Sequence, residues 1–182
     1  LVYWDEKNAE LCSPFLDSET MANTATLRYQ PIASADINND GTIDIPTQTR
    51  TLGKASAENN IYVTDWINYS ANKTRVVETS VVNFADGYMI HLDESDIKTT
   101  GIRDYSTQNC WIVFKTNSSG KSLGELYSVL KISAERWNKE EFNKYVPVIE
   151  KDDGVVCVYI TQSGSEAGID TDYIKSRISK IS

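Results

Sequence analysis

Histidine occurs once in this chain, at His91, and cysteine three times, at Cys12, Cys110 and Cys157. A lone imidazole with no nucleophile motif beside it leaves little for histidine-dependent acid–base or acyl-transfer chemistry, so His91 reads as a satisfied or solvent-facing strand residue. Three widely separated cysteines provide neither a disulfide framework nor a zinc-ligand spacing. Cys110 and Cys157 lie in apolar runs and are expected as small core residues. No apolar run approaches the length of a membrane span, and the longest, Val155 to Ile160, suits a buried strand. Basic runs are missing too. With 18 Lys and Arg against 26 Asp and Glu, the net charge of -8 argues against a nucleic-acid backbone or an anionic membrane as partner.

Near misses exclude further chemistry. Gly120-Lys121-Ser122 has the ending of a phosphate loop, but Lys115 stands where that loop needs its first glycine. Gly164-Ser165 followed by Gly168 does not centre a serine between two glycines as a nucleophile elbow requires. The pairs Asp93/Glu94, Glu140/Glu141 and Asp152/Asp153 read as solvated turns or helix starts. Asn68, Asn72 and Asn117 open Asn-x-Ser/Thr triplets, which are weak glycosylation signals.

What is present is one concentrated pattern. Asp36-Ile-Asn38-Asn-Asp40-Gly41-Thr42-Ile-Asp44 sets oxygen donors at alternate positions around a glycine. Calcium takes six to eight oxygen ligands in a flexible shell. Asp36, Asn38, Asp40 and Asp44 can each offer side-chain oxygen and Thr42 its carbonyl, while Gly41 can turn the chain at positive φ. The start resembles an EF-hand loop, but Thr47 occupies the place of the bidentate glutamate and Pro46 opposes a second helix. Two readings stand: a weak, structural calcium loop, or a metal-free turn in which Asp and Asn cap their own backbone.

The run Asp-x-Asn-x-Asp-Gly-x-x-Asp, continuing into strand-like Ile45 to Thr49, resembles the calcium loops of FG-GAP or VCBS repeats of extracellular β-propellers. The resemblance spans roughly Arg28 to Thr49 and occurs once. The whole chain resembles the C-terminal portion of VCBS-containing lipoproteins of Gram-positive anaerobes. Residues from Gly87 to His91, Glu135-Arg136-Trp137 and the last helix resemble PsbP-type sandwiches. These resemblances imply an extracellular or cell-surface bacterial protein whose partner is an upstream domain of the same polypeptide, or else a surface protein or glycan. The opening at Leu1, without methionine, fits a mature or trimmed product lacking its upstream portion.

The rest of the chain reads as antiparallel hairpins. Asp86-Gly87 between Thr74–Phe84 and Tyr88–Leu92, and Asp153-Gly154 between Tyr145–Lys151 and Val155–Thr161, are hairpin turns. Strands are also expected at Thr26–Tyr29, Ile61–Ile67, Gly101–Tyr105, Cys110–Phe114 and Glu125–Ile132, with a helical turn at Asp93–Asp96. Asn138 to Glu141 reads as a capping box. Asp170 to Ile181 reads as a closing amphipathic helix, since Ile174, Ile178 and Ile181 recur at helical spacing. The expectation is an α+β fold with a β-hairpin segment at 1–54 and an α+β domain at 55–182. Functionally it is a non-catalytic calcium-binding scaffold or interaction module. The alternative is a carbohydrate-binding or hydrolase-associated fragment using Trp137 and other aromatics with Asp93 or Asp96.

Overall fold

In the computed structural model the described residues are 2–17, 19–54, 56, 59–70, 73–137 and 141–181. The capping-box start at Asn138, the carboxylate of Glu140 and the triplet at Asn72 lie outside them. The chain forms two compact units, one of residues up to Thr49 with Thr64–Glu78, the other of Arg50–Val63 with Thr79–Ile181.

The first unit begins with a small antiparallel pair, β1 (Tyr3–Asp5) and β2 (Glu10–Cys12). After a 3-10 turn at Thr24–Thr26 the chain reaches the Asp36–Asp44 loop and enters β3 (Ile45–Thr51). The strand expected at Thr26–Tyr29 is not formed. Instead the Gln48 amide donates to the Leu27 carbonyl at 2.7 Å, and the Gln48 side chain takes the next backbone groups, which leaves no ladder to extend. Two long strands follow, β4 (Tyr62–Ser70) and β5 (Lys73–Asn83), of which Thr64–Glu78 belongs to the first unit, and then β6 (Tyr88–His91), which belongs to the second. The Asp-Gly turn between β5 and β6 forms where the sequence places it, with the Asn83 carboxamide accepting from the Asp86 amide at 3.0 Å.

In the second unit, α1 (Glu94–Thr99) precedes β7 (Thr100–Tyr105), β8 (Cys110–Thr116) and β9 (Ser122–Ser133). The second hairpin follows as β10 (Val146–Lys151) and β11 (Gly154–Ile160). These strands make an antiparallel sheet in the order β10-β11-β9-β8-β7. The other large sheet has the order β12-β6-β5-β4-β3. Tyr88, Ile90 and Val81 from one sheet and Trp111, Val113, Val129, Val156 and Val158 from the other share one apolar cluster. Within the second unit, β6, β12 and the part of β5 from Thr79 on therefore pack face to face on the β10-β11-β9-β8-β7 sheet, with alternate residues given to the interior. Tyr88 meets Trp111 edge-on with centroids 5.6 Å apart, a favoured aromatic geometry.

The α+β expectation is met only in its coarse part, antiparallel hairpins with a C-terminal helix. The described residues are nearly all-β, because the helices are short. These are α1, α2 (Gln162–Glu166) and α3 (Thr171–Arg177). The closing helix does start at Asp170, whose carboxylate accepts from the Tyr173 amide at 2.8 Å. It does not reach Ile181. Past Arg177 the backbone finds the open edge of β6 and becomes β12 (Ile178–Lys180), with Ile178 opposite Ile90. A sheet edge satisfies those amides and carbonyls as well as another helical turn would, and still buries Ile178.

Candidate calcium loop

The loop between Asp36 and Asp44 is closed at its base and folded on itself at its tip. At the base, Ala35 and Asp44 exchange two backbone hydrogen bonds, at 3.1 and 2.8 Å. At the tip, Asn39 and Gly41 both have positive φ, +58° and +85°. Asparagine tolerates the left-handed region better than most residues and glycine enters it freely. That pair of left-handed residues turns the Asp40 and Gly41 amides inward. They donate to the two oxygens of Asp36 at 3.0 and 2.8 Å.

The remaining side chains extend this network. Asn38 accepts from the Asp40 amide at 3.1 Å and donates to the Asp40 carboxylate at 3.1 Å, and Asp40 accepts from the Thr42 amide at 2.9 Å. The Asn38 carboxamide, followed by the Thr42 amide, holds the Asp40 carboxyl below the usual carboxylate range. Each ionised carboxylate has about four lone-pair sites, so a single N–H contact on an oxygen leaves capacity for a cation. Among the described residues, however, no three His, Cys, Asp or Glu side chains converge as a metal-holding cluster.

Asp44 differs from the others. It is fully buried, and among the described residues its side-chain oxygens accept from the Ile37 amide at 3.2 Å and the Asn68 carboxamide at 3.3 Å. Among the described residues no Lys, Arg or His forms an ion pair with it. A buried carboxylate is costly unless a cation or strong hydrogen bonds compensate it. Two long neutral contacts compensate poorly. The side-chain oxygens of Asp36, Asn38, Asp40 and the buried Asp44, with the Thr42 carbonyl, are the hard ligands that a calcium ion takes.

Two residues outside the motif hold the loop in place. Gln48 is fully buried. Its carboxamide oxygen accepts from the Tyr29 and Gln30 amides at 2.8 and 3.1 Å, and its nitrogen donates to Gln30 at 2.9 Å and Thr64 at 3.0 Å. All its side-chain bonds are used, which fixes the segment leading into the loop. Asn68 from β4 reaches Asp44 across 24 residues of sequence. Sequence reasoning read Asn68 as a glycosylation triplet and missed this role, because nothing local signals a partner so distant.

Other residues singled out from the sequence fall elsewhere. Asp93 caps α1, accepting from the Ser95 and Asp96 amides, both at 2.9 Å, and binds Arg177 at 2.8 Å. Asp96 lies 3.4 Å from the same guanidinium. Beside Asp96, Tyr127 and Tyr173 line a cavity of about 30 Å³. That is room for a water or two, not for a sugar ring. His91 Nε2 lies 2.7 Å from the Ser179 hydroxyl. Cys110 and Cys157 are buried, and desolvation pushes the Cys157 thiol up to about 11, far from a reactive thiolate. No helix among the described residues is long and apolar enough to cross a membrane.

Comparison of the chain with protein-family models, curated proteins and solved structures gives no match.

Proposed function

We propose that this chain is a non-catalytic, calcium-binding scaffold or interaction module of an extracellular or cell-surface bacterial protein. The observation that supports this reading most is the Asp44 carboxylate, fully buried and without a cationic partner among the described residues, at the end of a loop rich in oxygen ligands. Asp36, Asn38, Asp40 and Asp44 would hold the ion by side-chain oxygen, and Thr42 by its carbonyl. Bound calcium would neutralise the loop's carboxylates and tie β3 to the segment before it. The FG-GAP/VCBS-like pattern over Arg28–Thr49 supports the same assignment, with the upstream part of the same polypeptide as structural partner.

The affinity follows from the donor set. Three carboxylates without a bidentate glutamate place Kd on the order of 10⁻⁴ to 10⁻³ M, the range of extracellular modules. Isothermal titration of the folded chain into millimolar calcium is expected to give a one-site heat that Asp40→Ala abolishes. Absence of heat in the folded wild-type chain, or an unchanged isotherm in Asp40→Ala, rules the loop out as the site.

A further inference from the structure

The second unit carries a groove on the outer face of its sheet, away from the main core. Its floor is Leu130 and Ile132 of β9, and its volume is about 520 Å³, within the range of small-ligand sites. One wall is aromatic. Phe142 and Tyr145 both line the groove, and they belong to a continuous ladder. Trp137 stacks on Phe142 with centroids 5.5 Å apart and planes 11° apart, Phe142 meets Tyr145 edge-on at 5.5 Å, and Tyr145 leans on Tyr159 at 5.5 Å. Each ring is fixed by its neighbour, so the wall presents rigid apolar faces at low entropic cost.

The other lining residues are polar or basic. Thr107, Gln108 and Asn109 supply a hydroxyl and two carboxamides, all exposed. Asn109 holds a left-handed backbone, φ +49°, and its carbonyl accepts from the Lys131 amide at 3.1 Å, which anchors this segment to β9. Lys131 is neutralised by Asp153. Arg136 is not. Its backbone is held in the turn after β9 by the Ser133 carbonyl at 3.0 Å, and its guanidinium has no ion-pair partner among the described residues. None of the described residues lining the groove is an Asp or Glu.

Aromatic faces together with carboxamides and a guanidinium that has no ion-pair partner among the described residues match a ligand with an apolar C–H face, several hydroxyls and a carboxylate. We infer that this groove binds an acidic saccharide, a uronate-type pyranoside, with its ring against Tyr145 and Phe142, its hydroxyls on Gln108 and Asn109 and its carboxylate on Arg136. Guanidinium is suited to the last task because its planar fork meets a carboxylate bidentately. The site is independent of the calcium loop.

The test is titration of the chain, in calcium-free buffer, with a short oligomer of 1,4-linked galacturonate, followed by calorimetry and by tryptophan emission. The neutral 1,4-linked galactose oligomer serves as comparison. The expected result is saturable binding with Kd on the order of 10⁻⁴ M, weakened about tenfold by Arg136→Ala and less by Arg136→Lys. Tyr145→Ala weakens it as well, and Lys121→Ala, outside the groove, leaves it unchanged. Circular dichroism confirms folding of each variant. No binding at millimolar oligomer, equal affinity for the neutral oligomer, or an Arg136→Ala variant that binds like the wild type would each overturn the inference.

Discussion

Asp44 and Gln48 show how single buried polar residues carry the first unit. Gln48 accepts from the backbone amides of Tyr29 and Gln30 in the segment before the loop. Gln48→Leu keeps the volume but removes the acceptor for both amides and the bonds to Gln30 and Thr64, and is expected to cost roughly 2–4 kcal/mol in urea unfolding. Asp44→Asn removes the charge and also turns one of the two acceptor oxygens, which take the Ile37 amide and the Asn68 carboxamide, into a donor. In chelator the variant should lose one of those two hydrogen bonds and be less stable than the wild type by roughly 1 kcal/mol in urea unfolding. In calcium it should lose the stabilisation the wild type gains. These roles were only half legible in the sequence. The alternating oxygens and Gly41 announced the loop, whereas Asn68 and Gln48 act through contacts 24 and 16 to 19 residues away, and no periodicity encodes those.

Among elements, the hairpins were legible and the helix end was not. Asp86-Gly87 and Asp153-Gly154 mark turns by local chemistry alone, and the structure folds both where expected. Gly154 also explains why glycine is needed there: φ is +153°, and a Cβ would lie 2.1 Å from the Ile132 carbonyl oxygen. Gly154→Ala should lower stability by more than about 2 kcal/mol in denaturant unfolding. The helix Thr171–Arg177 stopped early because an unpaired edge of β6 competes for its last residues, which is a tertiary fact. Its last turn is held instead through Arg177 on Asp93 and Asp96.

That contact gives a pH dependence. The Ser95 hydrogen bonds, then Arg177, hold the Asp93 carboxyl well below its ordinary value of 3.8, so its contribution is present above that value and declines as pH falls below it. Burial raises Asp96 and works in the opposite sense, with its contribution present in acid and lost as pH rises through its folded value. Between about pH 4 and 2 the wild type should lose stability more steeply than Asp93→Asn, a difference readable from urea midpoints. Identical slopes would remove Asp93 from the acid response.

For the whole molecule, composition and patterning pointed to antiparallel sheets, and two packed sheets in the second unit are found. The share of helix was overestimated, because amphipathic spacing in the last segment suits a short helix followed by an edge strand as well as it suits one long helix. The central claim concerns linkage: an ion that binds the folded loop and not the unfolded chain must raise stability with its concentration. Thermal unfolding in chelator and across a calcium titration, with magnesium as control, tests this directly. With Kd on the order of 10⁻⁴ M, millimolar calcium should raise Tm by roughly 3–6 °C, with magnesium giving little and Asp44→Asn giving none. A Tm indifferent to calcium up to several times that concentration would contradict the account and leave the loop an Asx-capped turn.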